Sequence, residues 1–367
     1  MKRLFFLICL CIGSEISLQA QVDSSGKKPI TWTKELREVT IRDVRKPDTL
    51  IQSPTWMIRD FHFRGDSLVL LTWEKNPDKC TIRLFDRNGK ELASHKLADK
   101  PLGFNKDVYD KLYLECKSAT YRLDFYSGAI YLQAMEEKFY YSAIRPTVAA
   151  NDELFFVSSF HPQRPDFVFL KTERMSRETD TLLEVRDQHL YDLYYSEYKF
   201  LPFKTQCAIK RLSRETGQSK YDIAAQFSGF TQSLWWRTLY SPLIHTDSAI
   251  YVYDHYRDSV FCFTEDGALD QKLEMKFHKD KTYKKQLIQD EVTKELYALH
   301  MHGGTYTLAP VSYVDASEGN EIPLYYKYVE HIRIRNNEVF YVYRPFESSQ
   351  NSFLYTEQLP LRQLAGR

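Results

Sequence analysis

Short stretches in which apolar and polar residues alternate run along most of the chain, each closed by a polar turn. Trp56–Phe63 alternates and ends at Arg64-Gly65-Asp66. Ser67–Trp73 follows and ends at Asn76-Pro77-Asp78; Lys79–Phe85 ends at Asp86-Arg87-Asn88-Gly89; Glu91–Leu97 is a fourth run. Period-two alternation between such turns reads as β-strand. Residues 56–97 therefore predict four short strands in 42 residues, close to the ~40–45 of a four-stranded propeller blade.

The unit repeats. Residues 101–135 give Pro101–Asn105, Lys111–Cys116, Thr120–Phe125 and Ala129–Met135. Residues 144–185 give Ile144–Ala149, Glu153–Ser159, Phe167–Thr172 and Thr181–Val185. Residues 239–277 give Leu239–His245, Ala249–Asp254, Ser259–Phe263 and Leu269–Phe277, and residues 286–328 give Gln286–Glu291, Glu295–His300, Thr305–Val314 and Pro323–Tyr328. A sixth unit, His331–Arg335, Val339–Tyr343 and Ser352–Gln358, lacks one strand. Leu36–Arg42 alternates in the same way and is expected to supply it, pairing with Ser352–Gln358. Joining first and last strands in one blade closes the ring and removes exposed sheet edges. The expected fold is all-β, a six-bladed β-propeller closed by an N-terminal strand. From Gln188 to Trp236 the alternation stops. Thr205–Thr216 and Ser219–Phe227 are rich in helix formers, so one or two short helices are expected between blades three and four. A degenerate seventh blade is the alternative.

The N-terminus sets the expected compartment. Met1-Lys2-Arg3 precedes the apolar run Leu4–Gly13, and Ser17-Leu18-Gln19-Ala20 ends on a small residue. That is the order of a secretory signal peptide. The run is too short to cross a bilayer, which takes about 20 apolar residues. The expected organisation is a signal at 1–20, a flexible segment at 21–35, one propeller domain over 36–359 and a tail at 360–367. The mature chain is expected to be periplasmic or extracellular, with no transmembrane anchor. Without the signal, 48 basic residues face 48 acidic ones, so no global field favours nucleic acid.

Signal, opening strand and repeated turns together resemble the six-bladed β-propeller proteins of the Bacteroidetes cell envelope, over about residues 36–359. The resemblance rests on Leu36-Arg37-Glu38-Val39-Thr40-Ile41 and on turns such as Asp66-Ser67, Asn151-Asp152, Asp247-Ser248, Asn88-Gly89, Ser127-Gly128 and Asp266-Gly267. It implies an exported propeller and, most members having no assigned activity, leaves the chemistry open.

Aromatic residues make up 15% of the chain and glycine is scarce at 13, which excludes collagen-like and disordered classes. Cys80, Cys116, Cys207 and Cys262 are far apart and form no CxxC, so a zinc cluster is not expected. Cys80 and Cys262 sit inside strand-like runs, and free buried thiols are the simpler reading. No Gly-x-Ser-x-Gly, P-loop or GxGxxG occurs. No cofactor is expected.

Antiparallel order puts every loop between a blade's second and third strands on one face, with the crossings to the next blade. Those loops carry His161, Arg164, His255, Arg257, His300, His302 and Arg344, whereas the opposite face carries plain turns. Tyr194 and Tyr195, with Trp235 and Trp236, stand in the segment without strands. Tyr, Trp and Arg are interface anchors, and propeller mouths favour ligand sites. His300 and His302, two apart on one strand, supply two zinc ligands at most, with His255 or His161 as distant additions; zinc needs three or four. No metal site is therefore assigned, and the pair is read as imidazoles at a polar rim. The expected function is a non-catalytic exported scaffold that binds an envelope protein, peptide or glycan through this face. The alternative is a hydrolase or lyase acting on envelope material or glycans.

Overall fold

The computed structural model describes residues 46–345 and 352–360, all within one compact unit. They form six four-stranded antiparallel sheets, numbered here in chain order. Sheet one is Met57–Arg64, Ser67–Trp73, Cys80–Phe85 and Glu91–Lys96. Sheet two is Pro101–Lys106, Leu112–Cys116, Thr120–Tyr126 and Ala129–Met135. Sheet three is Thr147–Ala150, Leu154–Ser158, Asp166–Glu173 and Thr179–Arg186. Sheet four is Leu243–His245, Ile250–Asp254, Ser259–Phe263 and Leu269–Glu274. Sheet five is Tyr283–Gln289, Leu296–His302, Thr305–Val311 and Ile322–Lys327. Sheet six is Glu330–Arg335, Glu338–Tyr343 and Phe353–Gln358, with Asp48–Ile51 as its outermost strand.

The sheets fit a six-bladed β-propeller with the first strands innermost. Arg333, on the first strand of sheet six, reaches Asp60 and the Phe61 carbonyl on the first strand of sheet one. Asp60 in turn accepts from the Phe104 N–H in sheet two. Glu291, just after the first strand of sheet five, pairs with Lys106 of sheet two at 3.0 Å and Arg335 of sheet six at 3.3 Å.

The fourth strand of the last sheet is Asp48–Ile51, paired with Phe353–Gln358 from Asp48 opposite Thr356 to Ile51 opposite Leu354. This corrects the expected partner. The other edge of Phe353–Gln358 is taken by Glu338–Tyr343, so Leu36–Arg42 has no place beside it; that segment lies outside the described residues. Asp48-Thr49-Leu50-Ile51 is four residues long and follows Pro47, too short for alternation to show.

Burial follows the position of each strand. Second and third strands such as Ser67–Trp73 and Ser259–Phe263 are buried almost throughout, because a neighbouring sheet covers each face. Outer strands such as Glu91–Lys96 and Leu269–Glu274 are mostly exposed. Buried apolar clusters fill the seams between sheets one and two, three and four, four and five, five and six, and six and one. Among the described residues no such cluster joins sheets two and three. There the fully buried Tyr140 donates its hydroxyl to Glu115 at 2.7 Å and accepts from Asn105 at 2.9 Å. Tyr140→Phe takes the acceptor from Asn105 and leaves Glu115 with Arg145 alone, and is expected to cost about 1–2 kcal/mol, read as a lower urea midpoint. An unchanged midpoint would show that the seam does not depend on this hydroxyl.

Residues 188–227 form three helices and no strand: Gln188–Phe200, Phe203–Thr216 and Lys220–Phe227. The Asp187 side chain caps the first by accepting from the Leu190 N–H. Gly217, at φ 72°, ends the second in the left-handed conformation that glycine adopts without strain. Ser219 caps the third. Tyr198, Ile209, Ile223 and Ala224 pack together between them.

Candidate functional site

The crossing from sheet three to sheet four, the second-to-third-strand loop of sheet three and the crossing into sheet three meet around one cleft of about 700 Å³. The loop contributes Phe160, His161 and Pro162, the crossing into sheet four contributes Tyr240, and Tyr141 and Arg145 come from the helical turn before sheet three. Phe160 and Tyr141 are 44% and 42% exposed, so the aromatic wall is open to a ligand. Phe160 is held edge-on to Phe167 with ring centres 5.4 Å apart. The Arg145 guanidinium lies 5.4 Å from the Tyr141 ring and 3.3 Å from Glu115.

The helices dock on the rim of this cleft. Trp236 donates its indole N–H to the Pro162 carbonyl at 3.1 Å. Asp222 takes Arg164 on one oxygen and accepts the Tyr194 hydroxyl at 2.8 Å on the other. Tyr191, Tyr195 and Tyr221 meet in succession as tilted rings with centroids 4.2 and 4.5 Å apart, and Tyr194 meets Trp236 at 5.9 Å. Trp235 is 79% exposed. Thus His161, Arg164, Tyr194, Tyr195 and Trp236 are brought together, with Trp235 beside Trp236 in the chain. Tyr194 is buried, however, and its hydroxyl is committed to Asp222, so it positions the rim and does not present itself. Asp222 carries this junction and was not singled out from sequence; a lone carboxylate in a short helix gives no signal.

The remaining candidates lie elsewhere. His255 is half-buried, its Nδ1 3.0 Å from the Tyr253 carbonyl and its Nε2 3.1 Å from the Tyr283 hydroxyl. Burial lowers its pKa to about 4, so the ring is neutral at pH 7. Arg257 ties Asp254 to the Glu184 carbonyl, linking sheets four and three. His300 is 1% exposed, with Nδ1 on Thr282 at 2.9 Å and Nε2 on Glu318 at 2.7 Å. His302 is exposed and pairs with Glu321 at 3.0 Å. The two are therefore not a pair at a polar rim: Tyr283 and Glu318 enclose His300, and only His302 faces solvent. Arg344 borders a separate cleft between sheets six and one, with Met57 and Tyr328.

Cys80, Cys116 and Cys262 are buried free thiols and Cys207 is an exposed one. Burial raises the thiol of Cys116 to about 12 and that of Cys262 to about 11, which makes both poor nucleophiles. Among the described residues no group of three His, Cys, Asp or Glu is placed to hold a metal ion, and no helix is long and apolar enough to cross a membrane.

No family model matches the chain, and no curated protein is similar to it in sequence. Among solved structures, a luciferin-regenerating enzyme matches over 84% of this chain and 93% of its own, at 8% identity and a TM-score of 0.41. Regucalcin, a calcium-binding protein from Agrobacterium tumefaciens, matches over 85% and 92% at 8% identity and a TM-score of 0.36. Virginiamycin B lyase from Staphylococcus aureus matches over 81% and 80% at 8% identity and a TM-score of 0.33. What those proteins bind or cleave does not carry over at such distance; the fold of this chain stands on its own six-sheet topology.

Proposed function

We propose that the protein is a non-catalytic binding scaffold that engages an envelope protein, peptide or glycan at the cleft between sheets three and four. The observation that supports this is the open aromatic wall of Phe160 and Tyr141, on the face shared by the second-to-third loops and the crossings, with the exposed Trp235 next in the chain to the rim residue Trp236. Aromatic faces held rigidly by neighbours bind sugar rings and apolar side chains at small entropic cost. Arg145 and His161 supply the few polar groups that fix orientation in such a cleft. The helices at 188–227 are read as an insert that extends this surface. A hydrolase or lyase would need convergent acids or a metal shell, and no observation favours that reading.

The propeller domain at 36–359, the resemblance to Bacteroidetes envelope propellers, and export by residues 1–20 belong to the same proposal. Export predicts a mature N-terminus at Gln21 in the native envelope fraction. Intact mass measures it, and a chain keeping Met1 in the cytosolic fraction would overturn this part.

The binding reading is tested by probing glycan and peptide arrays with the purified mature chain, then titrating whichever probe is retained. Phe160→Ala and Trp235→Ala are each expected to weaken that probe by about 2 kcal/mol, roughly 30-fold, with unaltered melting. Turnover of the probe, or affinity unmoved by both substitutions, would contradict the proposal.

A further inference from the structure

At the start of five of the six first strands the antiparallel register shifts, on the crossing face. Such bulges re-aim side chains and recur next to binding sites. Two of them face each other across the seam between sheets five and six. In sheet five Tyr283 lies opposite His300 and Leu287 opposite Ala298, so Lys284, Lys285 and Gln286 oppose Leu299 alone. In sheet six Glu330 lies opposite Val342 and Arg333 opposite Phe340, so His331 and Ile332 oppose Tyr341 alone. Lys285 and His331 both take the left-handed backbone at φ 52°, a conformation that costs a residue with a Cβ about 1–2 kcal/mol.

The shifts leave a cleft of about 620 Å³ walled by Lys284, Gln286, Tyr306, His331 and Arg333, with Glu330 as its one acid. The side chains of Lys284 and Gln286 have no hydrogen-bond or ion-pair partner among the described residues. Arg333 spends Nε on the Phe61 carbonyl at 2.6 Å and Nη2 on Asp60 at 3.2 Å, which leaves Nη1 uncommitted among the described residues. His331 Nδ1 stands 3.6 Å from the same Asp60.

Near Arg333, but outside the lining of the cleft, stands another histidine. His62, on the first strand of sheet one, is only 8% exposed, and its Nδ1 has no partner among the described residues. Burial, then the charges of Arg333, Lys106 and His331, hold its pKa down to about 2. A neutral, enclosed imidazole with an unmet nitrogen costs stability, and this nitrogen has no surface a ligand in the cleft could reach. The basic groups around it are each met by acids, Lys106 by Asp110 and Glu291, and Arg333 and His331 by Asp60.

We infer that this cleft binds a small organic anion, its carboxylate or phosphate held by Lys284 and Arg333 and its apolar part resting on Tyr306. The site is separate from the aromatic cleft between sheets three and four and stands or falls independently of it.

The test is calorimetric titration of the mature chain with phenyl phosphate, benzoate and inorganic phosphate. Saturable one-to-one binding of phenyl phosphate or benzoate is expected; whichever binds more tightly identifies the head group, and inorganic phosphate alone binds more weakly. Lys284→Gln, an exposed substitution, should weaken binding about tenfold or more, the loss of one charge-assisted contact, without a change in melting. Absence of saturable binding by all three probes, or wild-type affinity in Lys284→Gln, would overturn the site.

Discussion

A chain lacking residues 46–51 should lose at least about 4 kcal/mol of stability and aggregate as it is concentrated. Ile51 is buried with Trp56, Phe61, Phe85 and Phe340, and burying one such side chain contributes about 1.5–3 kcal/mol. Each ladder hydrogen bond adds a net ~0.5–1.5 kcal/mol. Without this strand Phe353–Gln358 becomes an unpaired edge, a template for pairing between chains. A point substitution probes the same contact without cutting the chain. Gly89, in the last turn of sheet one at φ 77°, passes so close to the closing strand that a Cβ there would stand 2.3 Å from the Leu50 carbonyl oxygen. Gly89→Ala therefore adds left-handed strain to a clash with backbone and should lower the urea midpoint clearly, whereas Gly65→Ala, at φ 52° with open space around it, should show strain alone. Equal midpoints for the two variants, or a full-length midpoint in the truncated chain, would contradict closure by Asp48–Ile51.

Asp290→Ala should cost about 3 kcal/mol or more. The side chain is fully buried, and its oxygens accept from the backbone N–H groups of Val292, Thr293 and Asn336 on one side and Asn337 on the other. One carboxylate thus holds the first turns of sheets five and six together. Truncation strands up to four donors, each costing ~1–3 kcal/mol where water cannot reach. Burial pushes its carboxyl up, but the hydrogen bonds from Asn337, Val292, Thr293 and Asn336 outweigh burial and hold it below its ordinary value. The sign of the pH dependence follows. A depressed folded-state pKa gives stability that is full above the unfolded value of about 3.9 and is lost as pH falls through the folded one. Stability measured from pH 6 downward should fall less steeply in Asp290→Asn than in the parent chain. Parallel slopes would show that this carboxylate does not contribute to acid unfolding.

Most strands were legible because each blade is a local unit. The turns at Gly65-Asp66, Asn88-Gly89 and Asp266-Gly267 punctuate alternation short enough to read without tertiary information. What failed was contact over long sequence separation. The closing strand is too short to alternate, and the conspicuous Leu36–Arg42 pattern drew the assignment instead. The helix Gln188–Phe200 was hidden because its tyrosines favour strands as single residues, whereas here they pack ring against tilted ring at successive helical turns. The candidate face was legible as a set of loops, since antiparallel order fixes which loops share a side. Which side chains stay available was not. His255 and His300 project from the expected strands but are claimed by Tyr283, Thr282 and Glu318. Asp222, Asp290 and His62 gave no signal, because their roles depend on residues from 28 to more than 200 positions away.

The central claim is that binding occurs at the cleft between sheets three and four, on the face of the second-to-third loops. Hydrogen exchange of the mature chain, free and saturated with the array-selected probe, tests it most directly. The account predicts slowed exchange at residues 158–165 and 239–243, with no change at the opposite-face turns around Asn88 and Asp266. Protection confined to those turns, or spread equally over both faces, would contradict it.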